Sequence, residues 1–211
     1  PDLEKVKHRN MLFFEEGYGR VLGYSDDDYR RLDVNVVPRD IAYMQDIICS
    51  PKAPTVLDRD LYRKGQIVFG WLHAVQGVEV TDFLAEGQMT GIAWEDMYEN
   101  GRHVFWLNNQ IAGYAAILHA FLYYGRVPSA CSVAVLGRGN TAQGAIMALG
   151  RLGVKPAVYT RATIELFREE LGEYDVIVNC VLWDVFCGER LIYKEDLNRM
   201  RRGSMIVDIS C

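Results

Sequence analysis

At 211 residues the chain is long enough to bury a substantial core, as one large or two modest domains. Half of it is hydrophobic and 24% is charged, which excludes a disordered chain, and a net charge of −5 without a basic stripe excludes a nucleic-acid binder. No run of 18 apolar residues is free of charge, the first residues (Pro-Asp-Leu-Glu-Lys) carry no signal-peptide pattern, and the five cysteines (49, 131, 180, 187, 211) match neither a disulfide framework nor a zinc site. The expectation is a cytoplasmic protein with reduced thiols, no membrane partner and no metal.

In chain order, Asp2 to Arg9 reads as a polar helix already in progress, with no initiator Met before it, and Asn10 to Glu15 resembles a short strand. Ser25-Asp-Asp-Asp-Tyr29 starts a short helix, with Ser25 as N-cap and Asp28 at the capping-box position. Ile47 to Pro54 reads as a strand stopped by two prolines that flank Lys52. Gln66 to His73 is a second apolar strand, Val78 to Glu86 a helix, and Met89 to Glu95 a third strand. Such alternation predicts a parallel sheet, whose ligands sit beyond the carboxyl ends of its strands. Lys52, His73 and Glu95 stand at three consecutive ends of that kind, which marks them as candidates; His8, His103 and His119 lack this context.

Asn108 to Tyr124 is a longer helix, with Asn108 as N-cap and Gly125 as stop. Its apolar residues leave almost no polar face, so burial on most sides is expected. Beyond Pro128, Cys131 to Gly144 reads as strand, tight turn and helix, with Gly137, Gly139 and Ala142 satisfying G-x-G-x-x-[G/A]. Gly137 permits the turn, Gly139 keeps side chains away from a pyrophosphate, and Ala142 lets the helix pack close to the strand. Residues Gly137, Arg138, Gly139, Asn140, Thr141 and Ala142 are therefore the candidate phosphate cradle at a helix start.

A doubly wound plan follows: strands at 132–136, 156–160, 174–181 and 204–209, with helices at 141–152, 163–171 and 194–201. At the end of the second strand an acid ordinarily bonds the ribose 2′-hydroxyl of NAD. Here Thr160 and Arg161 stand instead, a pair suited to a 2′-phosphate, so NADP(H) is the expected cofactor. Asn179, Cys180 and Val181 end the third strand, on the nicotinamide side, and Cys180 is read as an inert small residue rather than a nucleophile.

The order E-E-G-Y-G, D-D-D-Y, C-S-P-K-A-P, R-K-G-Q-I-V-F-G-W-L-H, G-I-A-W-E, V-L-G-R-G-N-T-A-Q-G-A and S-M-I-V-D-I resembles the alanine dehydrogenase / pyridine nucleotide transhydrogenase superfamily. Within it, W-L-H, A-G-Y-A, L-G-x-G-N-x-A-Q-G-A and Y-x-R are most similar to the N5-(carboxyethyl)ornithine synthase family. The resemblance implies two α/β domains with the active site in the cleft between them. One is a Rossmann-type parallel-sheet dinucleotide-binding domain and the other an α/β substrate domain. Residues 1–107 would be the substrate domain, incomplete at its N-terminus relative to the family, 108–126 a connecting helix, and 127–211 the cofactor domain, incomplete at its C-terminus.

The resemblance further implies an oxidoreductase and homo-oligomer that uses NADPH to condense pyruvate reductively with the side-chain amine of ornithine. By position, Lys52 would bind the keto-acid carboxylate, His73 would be the acid/base group, and Glu95 would orient Lys52 or His73. Imidazole suits proton transfer during carbinolamine formation and loss of water. Reductive amination with ammonia, as in an alanine dehydrogenase, and a non-catalytic dinucleotide-binding module are the alternatives.

Overall fold

The computed structural model describes residues 2–55, 57–182 and 190–209, so Cys187 and Cys211 lie outside the described residues. The chain divides into two compact units, Pro1–Met97 and Tyr98–Cys211.

In the first unit, β1 (Phe13–Glu15) pairs in parallel with β2 (Asn35–Val37); α1 (Asp26–Arg30) lies between the two strands in sequence and α2 (Arg39–Tyr43) follows them. The expected capping box forms: Asp28 N–H donates to Ser25 Oγ at 3.3 Å, and Ser25 N–H donates back to Asp28 Oδ2 at 2.8 Å. The expected helix at Asp2 to Arg9 does not form. Two 3₁₀ turns, Leu3–Lys5 and Arg9–Met11, stand there with no buried residue, because a short polar segment has no apolar face to offset the cost of helix nucleation.

Strands β3 (Ile47–Ser50), β4 (Ile67–Gly70) and β5 (Thr90–Ala93) form a parallel sheet in that order, and α3 (Val78–Glu86) spans the predicted residues. Ile48, Val68, Leu72 and Phe83 are buried here, and Val34 is buried just before β2. Buried Gln66 is fully used: its amide donates to Tyr43 O and Gln45 O at 2.7 and 2.6 Å and accepts from Arg63 N–H at 2.5 Å. Gly70 is required by close approach, since a Cβ there would lie 1.9 Å from Ser50 O on the neighbouring strand.

The second unit opens with a small antiparallel hairpin, β6 (Tyr98–Glu99) and β7 (Arg102–His103), turning on Asn100-Gly101, both at positive φ. Helix α4 (Trp106–Tyr124) follows. It begins at Trp106 rather than after Asn108, because the hairpin leads straight into it and Asn109 N–H already bonds Phe105 O at 3.2 Å. The Gly125 stop is as expected, at φ 72°. Burial on most sides is not observed: only Gly113, Ile117 and Phe121 are buried, since α4 packs through one face.

Then come β8 (Val133–Leu136), α5 (Asn140–Arg151), β9 (Ala157–Tyr159), α6 (Ile164–Glu170), β10 (Val176–Asn179) and β11 (Met205–Asp208). The four strands are parallel in the order β11-β10-β8-β9. The third predicted helix is a 3₁₀ segment, Glu195–Arg199. All of β8 is buried, and its alternate residues face two separate cores. Val133 and Val135 join Ala142, Ala145, Leu149, Ile117 and Phe121, while Ala134 and Leu136 join Phe167, Leu171 and Ile177. Each fully buried Val, Leu, Ile or Phe among them contributes roughly 1.5–3 kcal/mol.

The amino-terminal ends of β8 and β10 are tied by Asp175. Its carboxylate accepts from Ser132 N–H at 2.9 Å and pairs with Arg126 and Arg201. The Ser132 N–H, with help from those arginines, holds this carboxyl below the usual carboxylate range.

Candidate functional site

In the second unit the polypeptide reverses on either side of β8: β9 lies to one flank and β10 to the other. That makes the carboxyl ends of β8 and β10 a topological switch point. Gly137 sits there at φ 111°, donating its N–H to Tyr159 O at 2.8 Å. A Cβ on Gly137 would lie 3.1 Å from Cys180 O, so the turn presses against the backbone of Cys180 and Val181. Gly139 is the N-cap of α5, and no side chain caps it. A Cβ there would meet nothing within 4 Å, and Ala142 is fully buried one turn into the helix. Open backbone N–H groups at the start of a twelve-residue helix fit a dinucleotide's pyrophosphate.

Beyond β9, Thr160 N–H donates to Thr163 Oγ1 at 2.9 Å, and Arg161 is exposed. Asn179 bridges forward: its amide donates to Asp208 Oδ1 at 3.1 Å and accepts from Val181 N–H at 3.2 Å. Burial, followed by the nearby Asp208 carboxylate, pushes the Cys180 thiol up to about 12, which leaves it protonated and inert at neutral pH.

In the first unit, register places Ser50, Gly70 and Ala93 side by side at one sheet edge. Lys52, His73 and Glu95 follow just past that edge. Glu95, in the 3₁₀ turn Trp94–Asp96, accepts His73 N–H at 2.5 Å through one oxygen and Leu72 N–H at 3.2 Å through the other. His73 has a left-handed backbone at φ 50°, a conformation that costs a non-glycine residue about 1–3 kcal/mol. Two hydrogen bonds to a carboxylate offset such a cost.

The exposed His73 ring stacks on Trp71 at 6.0 Å between centroids and 13° between planes. Trp71 stands edge-on to Trp94 at 6.1 Å, and Trp94 edge-on to Phe69 at 5.4 Å. Lys52 is exposed, its N–H bonded to Ser50 Oγ at 3.3 Å. Its loop is anchored at Asp58, which accepts from Thr55 Oγ1 at 2.8 Å and pairs with Arg39. Glu95 and the His73 backbone are thus in direct contact. Lys52 shares their edge without a bond to either among the described residues.

The sequence reading missed Trp71 and Trp94, although each directly precedes or nearly precedes a candidate residue, in W-L-H and W-E. It also missed two helix glycines. A Cβ on Gly113 would lie 1.9 Å from Thr141 O, and one on Gly144 1.9 Å from Gln110 O, so α4 and α5 touch backbone to backbone beside the glycine turn. A glycine inside a helical run is the signal that points to such an approach.

Among the described residues no group of three His, Cys, Asp or Glu side chains is placed to hold a metal ion, and no helix is long and apolar enough to cross a membrane.

Comparison with known proteins gives concordant results. An N(5)-(carboxyethyl)ornithine synthase of Clostridium botulinum (strain Hall) is 29% identical over 97% of this chain and 70% of that protein. Alanine dehydrogenase 1 of Staphylococcus aureus (strain NCTC 8325) is 22% identical over 95% of this chain and 64% of its own length. The crystal structure of a transhydrogenase from Sinorhizobium meliloti superposes with a TM-score of 0.75 at 21% identity, covering 97% of this chain and 70% of that one, which shows a shared fold. The family model described as alanine dehydrogenase/PNT, N-terminal domain, matches residues 4–115. With more than half its length matched by that model, the chain belongs to the alanine dehydrogenase/PNT family of oxidoreductases.

Proposed function

We propose that the protein carries out the NADPH-dependent reductive condensation of an α-keto acid, pyruvate, with the side-chain amine of an ornithine-like amino acid, giving an N-(carboxyalkyl)amino acid. The observation that carries this reading is the 29% identity to N(5)-(carboxyethyl)ornithine synthase along 97% of the chain. The candidate residues Lys52, His73 and Glu95 at one sheet edge support it.

In this reading Lys52 pairs its ammonium with the keto-acid carboxylate. The amine adds to the keto carbon, and His73 delivers a proton to the carbinolamine oxygen, which leaves as water. Glu95 positions His73 through the backbone N–H of residues 72 and 73. A bound nicotinamide dinucleotide supplies the hydride that reduces the resulting C=N bond. Gly137, Arg138, Gly139, Asn140, Thr141 and Ala142 hold the pyrophosphate, Thr160 and Arg161 take the 2′-phosphate, and Asn179, Cys180 and Val181 border the nicotinamide half. Residues 1–107 carry the substrate side and 127–211 the cofactor side, joined by the segment 108–126, which holds most of α4. The setting is cytoplasmic, and the assembly a homo-oligomer.

A second reading, reductive amination of the keto acid with ammonia, is favoured by the 22% identity to alanine dehydrogenase 1. Steady-state NADPH oxidation with pyruvate separates the two. Turnover that requires ornithine or another diamino acid supports the condensation. Turnover with ammonium alone supports the amination, and no turnover with any amine overturns both.

A further inference from the structure

Helices α4 and α5 meet in their amino-terminal halves, where Gly113 faces Thr141 O and Gly144 faces Gln110 O too closely for any Cβ between them. That approach brings two side-chain amides together: Gln110 Nε2 donates to Gln143 Oε1 at 3.0 Å. With its oxygen used in this way, the Gln143 amide turns its NH₂ elsewhere as a donor. It reaches back past the helix start to Arg138 O, at a long 3.5 Å. A chain of two amides thus runs from α4 to the middle residue of the turn Gly137-Arg138-Gly139. Gln143 is exposed, so the chain adds nothing to the core.

The carbonyl of Arg138 belongs to the same peptide as the N–H of Gly139. In a trans peptide these two groups point in opposite directions. Gln143 lies one turn inside α5 and draws Arg138 O back along the helix, so Gly139 N–H is directed ahead of the helix start, where a pyrophosphate would sit. This peptide needs such a restraint. Turning it over changes only ψ of Arg138 and φ of Gly139, and although Gly139 stands at φ −67°, glycine accepts φ of either sign, so residue 139 does not itself oppose the flip. The flipped peptide would present a carbonyl oxygen to an anion in place of a donor.

We propose that Gln143, oriented by Gln110, is a positioning residue of the dinucleotide site: it locks the Arg138–Gly139 peptide with its N–H toward the pyrophosphate. This inference rests on the proposed dinucleotide binding and not on the amine used. Calorimetry of the full chain with NADPH and with ADP-ribose, which keeps the pyrophosphate but lacks the 2′-phosphate and the nicotinamide, tests it together with phosphorus NMR of bound NADPH. Gln143→Leu should weaken both ligands by the same factor, roughly three- to fivefold for one lost neutral hydrogen bond. Its melting temperature should stay at the wild-type value. The pyrophosphate resonances of bound NADPH should shift while the 2′-phosphate resonance stays in place. Gln110→Leu should act in the same direction, and Q110L/Q143L should bind no more weakly than Gln143→Leu, because Gln110 works only through its neighbour. Wild-type affinity for both ligands in Gln143→Leu would overturn the proposal. So would losses that add in the double variant, or a loss that comes with a lower melting temperature and unmoved pyrophosphate resonances. A wild type that binds neither NADPH nor NADH overturns the dinucleotide reading itself, and this inference with it.

Discussion

Glu95 uses both carboxylate oxygens on backbone N–H groups, and one of these belongs to His73, the residue proposed to move the proton. Glu95→Gln replaces one acceptor oxygen by an NH₂ group that faces an N–H donor, so the loop loses one of the two contacts that hold His73 at φ 50°. Kinetics on purified Glu95→Gln should show kcat reduced about 10–100-fold with NADPH affinity unchanged, and His73→Ala should lose about 10²–10⁴-fold, again sparing the cofactor. A His73→Ala enzyme of wild-type rate would remove the acid/base assignment. The cofactor preference proposed for Arg161 is testable in the same way. A charge-assisted hydrogen bond to a phosphate contributes about 1.5–3 kcal/mol, so Arg161→Ala should weaken NADPH binding roughly 10–100-fold while NADH binding stays level. Calorimetry showing equal loss for both cofactors, or none, would contradict that role.

Elements whose signals are local were legible in the sequence. Helix α3 and the Ser25 capping box follow from adjacent residues, and the strand, glycine turn and helix from 133 to 151 follow from a motif read within one βα unit. What depends on register or on distant partners was not. The stack of His73 on Trp71 and the approach of α4 to α5 exist only once separate elements are packed together. The outer face of α4 shows the same limit: its composition alone reads as buried, and only the tertiary structure reveals one face packed and the other open. The two glycines of α5 make this packing measurable. Gly144→Ala places a Cβ 1.9 Å from Gln110 O and should cost about 1–3 kcal/mol of stability and weaken dinucleotide binding at the adjoining turn. Gly150→Ala, with open space around its Cβ, should be neutral or stabilise by up to about 1 kcal/mol. Denaturant titration of the pair decides it, and equal effects would contradict the close approach.

For the whole molecule, each unit has its own sheet, and the two carry different chemistry. The first presents a sheet edge bearing an ammonium, an imidazole and a carboxylate, and the second a glycine turn at a switch point suited to phosphates. A net charge of −5 agrees with the proposal that anionic ligands are met by a few placed cations rather than by a basic surface. Condensation requires that a new bond form between the amine nitrogen and the keto carbon, and that this same carbon receive the hydride. Mass spectrometry of the product made from pyruvate, ornithine and NADPH deuterated at both C4 positions reads both events at once. The expected product is a single adduct of ornithine and pyruvate that has lost water and carries one deuterium, on the carbon between the new carboxylate and nitrogen. Deuterated alanine formed from added ammonium, with ornithine recovered unchanged, would contradict the proposed reaction.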